Sequence, residues 1–106
     1  MGLHKYQDIT KQKEHADELS YLATHDPLTG LTNRREFERR AERLLATVKL
    51  DKSEHALCFM DLDQFKVIND TCGHSAGDEM LRQLGSALQT AVRHRDTLAR
   101  LGGDEF

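Results

Sequence analysis

Apolar residues return at helical spacing in three stretches of the chain and crowd into short runs in two others. Ile9, Ala16 and Ala23 recur every seven residues, with Gln12 and Leu19 interleaved, a heptad pattern of about two repeats. This predicts a connector helix over residues 10–25, either a solvated tether or one seam of a coiled coil. Asp8 or Thr10 would cap it. The chain's only proline and a glycine fall in residues 26–32 (DPLTGLT), so that helix stops there. Asn33 and Glu36 then stand at capping-box spacing, and Phe37, Ala41, Leu44, Leu45 and Val48 form one apolar stripe of a second helix. Residues 56–60 (ALCFM) are an apolar run of strand length, read as a buried strand that ends in Asp61-Leu62-Asp63. A short helix is predicted over residues 65–68, and a loop over 69–77 (NDTCGHSAG) from its turn-forming composition. Leu81, Leu84, Leu88 and Val92 share one face of a helix expected from about Asp78. Residues 97–101 read as a strand, and Gly102-Gly103 calls for a tight turn.

Length limits what these elements can build. A chain of 106 residues suits one small domain at most. It ends at Phe106, where the return arm of the last hairpin should open, and two strands do not make an independently stable sheet. The expectation is a segment cut at both ends and marginally stable by itself. Residues 1–9 read as the end of something else. No apolar run approaches the ~20 residues of a membrane span, and residues 1–20 lack the apolar stretch of a secretory signal. Cys58 and Cys72 make no disulfide framework, so reduced thiols in a cytoplasmic protein are expected.

Charge adds one clue. The net charge of −3 argues against a nucleic-acid surface. Residues 1–60 carry ten acidic and ten Lys/Arg side chains, whereas residues 61–106 carry eight against five. The whole acidic surplus therefore lies in the second part, which suggests cation ligands. Asp61 and Asp63, two apart on a strand, point to one face. If the glycine turn packs beside that strand, Asp104 and Glu105 join them. Two such anions ~4 Å apart repel by roughly 4 kcal/mol at an effective dielectric near 20. A cluster of this kind needs a divalent cation or a raised pKa, and its hard oxygens suit Mg²⁺ or Mn²⁺. An EF-hand starting at Asp61 fails, because Lys66 and Cys72 stand where Gly and Glu are required. A haloacid-dehalogenase-like phosphatase also ends a strand in DxD, but Phe65 departs from its usual continuation.

Four strings in order resemble the GGDEF family of diguanylate cyclases. They are DPLTGLTNRR at 26–35, MDLDQFKVIND at 60–70, Gly73-His74 with Gly77-Asp78, and RLGGDEF at 100–106. The resemblance covers residues 26–106 and implies an α+β fold like that of class III adenylyl cyclases and polymerase palm domains, an antiparallel sheet with helices on one face. It implies that two GTP molecules, each held by half of an antiparallel homodimer, condense to cyclic di-GMP and pyrophosphate with help from Mg²⁺ or Mn²⁺. Carried over by position, Asp61, Asp104 and Glu105 are catalytic acids and metal ligands, with the Leu62 carbonyl a backbone ligand. Asp63 either supports the site or joins it. Gly102 and Gly103 let the backbone approach the nucleotide, and Lys66 contacts phosphate. Asn69 and Asp78 read guanine, with His74 near the nucleotide. The bland readings are that Asn69 ends a helix, Asp78 caps one, and Lys66 and His74 are solvated.

Arg93 and Asp96 fit the family's RxxD inhibitory motif, where they would grip product cyclic di-GMP with Arg100 as a further contact. Residues 6–10 (YQDIT) resemble the end of a PAS sensor domain. The family's domain continues beyond its GGDEF turn, so this polypeptide alone is expected not to make cyclic di-GMP. The competing reading is a non-catalytic module that binds cyclic di-GMP.

Overall fold

The structure, a computed structural model, describes the backbone of residues 2–106 and the side chains of residues 11–106. Its four helices are α1 (Gly2–Thr24), α2 (Arg34–Asp51), α3 (Phe65–Cys72) and α4 (His74–Ala91). The connector helix thus begins well before the expected Thr10. The PAS-like reading of residues 6–10 falls on side chains outside the described residues.

α1 gives way to α2 through the expected turn. Asp26 N–H donates to the Leu31 carbonyl at 2.7 Å and Gly30 N–H to the Asp26 carbonyl at 2.8 Å, which folds residues 26–31 into a closed loop. Asn33 then locks the two helices at their junction. Its Oδ1 accepts from Glu36 N–H at 2.9 Å, the N-cap bond, while its Nδ2 donates to the Ala23 carbonyl at 3.1 Å. Only half of the capping box forms. Glu36 is buried and turns to Arg39 and Arg40 instead of reaching back to Asn33. Hydrogen bonding from Arg39 foremost, opposed by lost hydration and helped by Arg40, holds its carboxyl down to about 2.

The core is small. Leu31, Leu81 and Phe106 are buried, with Leu28, Met60, Leu62, Phe65, Leu84, Leu88 and Leu98 packed around them. α4 supplies Leu81, Leu84 and Leu88 from the predicted face. The apolar stripe of α2 is only partly covered, with Leu44 and Leu45 exposed. A radius of gyration of 18.4 Å exceeds the ~13 Å of a compact 100-residue domain, because α1 and α2 project from this core.

Two sequence expectations are corrected here. The segment 69–77 is helical apart from Gly73, whose φ of 91° lets it end α3 and open α4. Its small residues serve close helix packing: Gly77 is buried against α3, where a larger residue would not fit. The 56–60 run is neither a continuous strand nor buried, and Leu57 and Phe59 are exposed. Only its last residue is paired, Met60 and Phe106 exchanging N–H to carbonyl bonds of 2.8 and 2.9 Å. Residues 97–101 likewise form a single parallel bridge, Ala99 to Thr32. Among the described residues the expected antiparallel sheet is therefore present only as isolated bridges. The longest such contact is the short pairing of residues 60–62 with residues 104–106.

Candidate functional site

The glycine turn is built by backbone sign. Gly102 and Gly103 have φ of 142° and 52°, values that side chains disfavour, while a Cβ at either would meet nothing within 4 Å. Conformation, not crowding, demands glycine there, and the space beside the bend is open. Leu101 N–H to the Glu105 carbonyl (2.9 Å) and Glu105 N–H to the Gly102 carbonyl (3.0 Å) close it.

That bend lies against the end of the ALCFM segment. Asp61 and Glu105 form an antiparallel bridge, and Leu62 N–H donates to the Asp104 carbonyl at 3.3 Å. Acids 43 positions apart in the chain thus meet, as expected where the glycine turn packs beside that segment. The Asp61 and Asp104 carboxyls are near neighbours. The adjoining Asp104 carboxyl foremost, with lost hydration and the charge of Glu105, pushes the Asp61 carboxyl above its ordinary value.

The donor set suits a magnesium-like ion. Among the described residues no three His, Cys, Asp or Glu side chains stand close enough together to enclose a metal. Magnesium, however, is commonly held by one or two carboxylates, with water and substrate phosphate completing the shell. Asp61 and Asp104 are two carboxylates such an ion would need, and the Leu62 carbonyl accepts no hydrogen bond among the described residues. Asp63 is exposed in the turn before α3 and is not part of this contact.

The expected nucleotide contacts lie on α3 and α4. Lys66 is exposed in the first turn of α3, and His74 and Asp78 are exposed at the start of α4. Asn69 is half-buried, its Oδ1 without a partner. A Cβ on Gly77 would stand 1.8 Å from that oxygen and 3.2 Å from Phe65 Cζ. The missing side chain at 77 therefore makes the room in which Asn69 sits, one residue from Asp78. Gly77→Ala is expected to expel the Asn69 side chain. It should cost about 1–3 kcal/mol through overpacking, although Ala is otherwise the better helix former by ~1 kcal/mol. Urea unfolding of this chain checks the sign, and a more stable variant would contradict the packing.

Arg93 and Asp96 close a turn after α4: Arg93 N–H donates to Asp96 Oδ2 at 2.9 Å, and Asp96 N–H to the Arg93 carbonyl at 3.0 Å. The Arg93 residue itself is exposed. Arg100, expected beside them, is placed otherwise. Its guanidinium is half-buried and bonded to Asp26 and to the Gly103 carbonyl, because the strand-like stretch carrying it runs beside Thr32. The sequence held no local signal of this contact, since the two charged partners lie 74 positions apart.

Comparison with known proteins defines the class. The family model "Diguanylate cyclase, GGDEF domain" matches residues 23–106. Over 100 residues the chain is 51% identical to the probable diguanylate cyclase DgcE of Escherichia coli K12, covering 94% of this chain and 9% of that protein. It is 41% identical over 99 residues to the cyclic di-GMP phosphodiesterase PdeB of Shewanella oneidensis, 93% of this chain and 11% of that one. The crystal structure of the coiled coil and GGDEF domain of DgcB from Caulobacter crescentus, in complex with c-di-GMP, matches with a TM-score of 0.85 and 31% identity. That match covers 95% of this chain and 53% of the DgcB chain. This chain belongs to the GGDEF-domain family of diguanylate cyclases. It spans about a tenth of these two curated relatives and about half of that solved structure.

Proposed function

We propose that this chain is part of a diguanylate cyclase that joins two GTP molecules into cyclic di-GMP. The observation that carries this reading is the meeting of Asp61 with Asp104 and Glu105 across an open glycine bend. In each of two equivalent steps a 3′-hydroxyl oxygen bonds to the α-phosphorus of the other GTP. The bond to pyrophosphate breaks and the hydroxyl proton is released.

Asp61, Asp104 and the Leu62 carbonyl would hold the divalent ion, with Glu105 as the adjoining acid. When bound, Mg²⁺ or Mn²⁺ makes the hydroxyl more acidic and neutralises charge developing on the phosphate. The chain's own residues do the positioning. Gly102 and Gly103 leave room for the triphosphate, and Lys66 is the cation for a phosphate oxygen. Asn69 and Asp78, adjoining across the α3–α4 contact, offer an amide and a carboxylate to the hydrogen-bonding edge of guanine, with His74 nearby. Two active halves face each other in a homodimer, brought together through α1. The paired Met60 and Phe106 segments belong to a larger antiparallel sheet of the palm-like kind, and the setting is cytoplasmic. Residues 1–9 would be the end of a sensor domain, 10–25 the connector, and 26–106 the first half of the GGDEF domain. Arg93 and Asp96 form a product site that limits synthesis.

The test measures cyclic di-GMP formation from GTP and Mg²⁺ by this chain and by a form extended through a second half-domain, as in the DgcB structure. Product from the extended form, lost on Asp104→Ala, is expected, with none from the 106-residue chain. An extended form that binds cyclic di-GMP yet turns over no GTP would instead favour a non-catalytic binding module. Product affinity unchanged by Arg93→Ala would remove the feedback site.

A further inference from the structure

Arg100 makes the longest-range polar contact of this site. Its Nη1 donates to Asp26 Oδ1 at 2.9 Å, and its Nε and Nη2 donate to the Gly103 carbonyl at 3.0 and 2.8 Å. Its N–H donates to the Thr32 carbonyl at 3.0 Å. The two charged side chains are only 14% and 13% exposed, so water screens the pair little. The second carboxylate oxygen of Asp26 is also engaged, accepting from Thr29 N–H at 2.9 Å and Thr29 Oγ1 at 2.7 Å. Asp26 follows the last residue of α1 by two positions, and Gly103 immediately precedes Asp104. One unbroken path therefore runs from the end of α1, through Asp26 and Arg100, to the bend that carries the acids.

The bend is the end of the path that needs holding. At Gly102 and Gly103 a Cβ would meet nothing within 4 Å, and the bend's internal closure rests on two backbone hydrogen bonds. Such a bend is free to flex unless something grips it from outside. The Gly103 carbonyl is gripped by two N–H groups of one planar fork, which fixes its orientation as a single bond would not. The same fork is pinned at its far side by Asp26.

We propose that Arg100 is a positioning residue that clamps the glycine bend to the turn closing α1, so that the seating of α1 governs how Asp104 and Glu105 meet Asp61. This rests on the reading of those acids as the working centre. It gives α1 a route to regulate that centre within a single subunit. It also gives Asp26 a purpose beyond closing its own turn. Lysine cannot replace the clamp, because one ammonium lacks the planar fork that spans both partners.

Amide hydrogen exchange on the 106-residue chain tests the clamp without any need for turnover. The amides of Leu101 and Glu105 report on the bend, and those of Leu84 and Gly85 on α4. Asp26→Asn, 74 positions from Arg100, is expected to speed exchange at Leu101 and Glu105 by about tenfold or more while leaving α4 within about twofold. Arg100→Lys should do the same, and both should weaken Mn²⁺ binding, read from the free-ion electron paramagnetic resonance signal. Unchanged exchange at the bend in either folded variant overturns the proposal, as does equal acceleration in α4, the mark of a merely structural ion pair. Mn²⁺ binding that survives Asp61→Asn overturns the reading of the acidic centre instead, and the exchange result distinguishes the two failures.

Discussion

Asp61→Asn is expected to stabilise the metal-free chain at pH 7 and at the same time to abolish its response to Mg²⁺. The Asp61 carboxyl sits beside those of Asp104 and Glu105, and these neighbours raise its proton affinity. For an acid raised in the folded state, folding is favoured below its unfolded value of 3.8 and loses that advantage as pH rises through the higher folded value. Above that folded value the crowding of like charges on Asp61 and its neighbours works against folding. Asparagine removes one charge and offers Asp104 an amide donor instead. Thermal unfolding without divalent ions should place the variant a few degrees above wild type, and the gap should close toward pH 4.

Adding Mg²⁺ should reverse the order, since ligand binding to the folded state stabilises only the chain that binds it. The loss of Mg²⁺ affinity should exceed the ~10–100-fold that follows removal of a mere outer-shell partner. In an extended, active form, turnover should vanish. A variant less stable than wild type without metal, or one that keeps its Mg²⁺ response, would show that the acids meet for some reason other than binding a cation.

Leu81→Ala carries the largest expected effect on folding. Leu81 is 2% exposed and forms the buried centre of the core with Leu31 and Phe106. Truncating such a leucine costs about 2–5 kcal/mol from lost transfer energy and the cavity left behind. Small domains have roughly 5–15 kcal/mol in total, and those with few buried residues lie at or below the low end. The variant should lose its cooperative urea transition, followed by circular dichroism. Leu50 supplies the contrast, being just as apolar but 88% exposed at the end of α2. Leu50→Ala should stay within about 0.5 kcal/mol of wild type. Similar losses at both positions would mean that the three-residue cluster does not bear the fold.

Different parts of the chain were legible to different degrees. The N-cap at Asn33 and the left-handed turn at Gly102-Gly103 follow from residues a few positions apart, which is the reach of local signals. The loop expected at 69–77 failed because glycine, serine and asparagine serve two ends. They favour turns, but they also allow two helices to approach closely, as Gly77 does against Asn69 and Phe65. The buried strand expected at 56–60 failed because hydrophobicity states what a segment prefers to bury, not whether a partner lies beside it; Leu57 and Phe59 are exposed.

The residue types themselves determined the family, the acids at 61, 104 and 105, the Asn33 cap and the conformations open to glycine, because each is set by a side chain's own chemistry or by near neighbours. Only the tertiary structure decided that Arg100 grips Asp26 and the glycine bend, and that Asn69 nests against Gly77. Those contacts depend on which distant segments come together, and no periodicity along the chain encodes the spatial order of its parts.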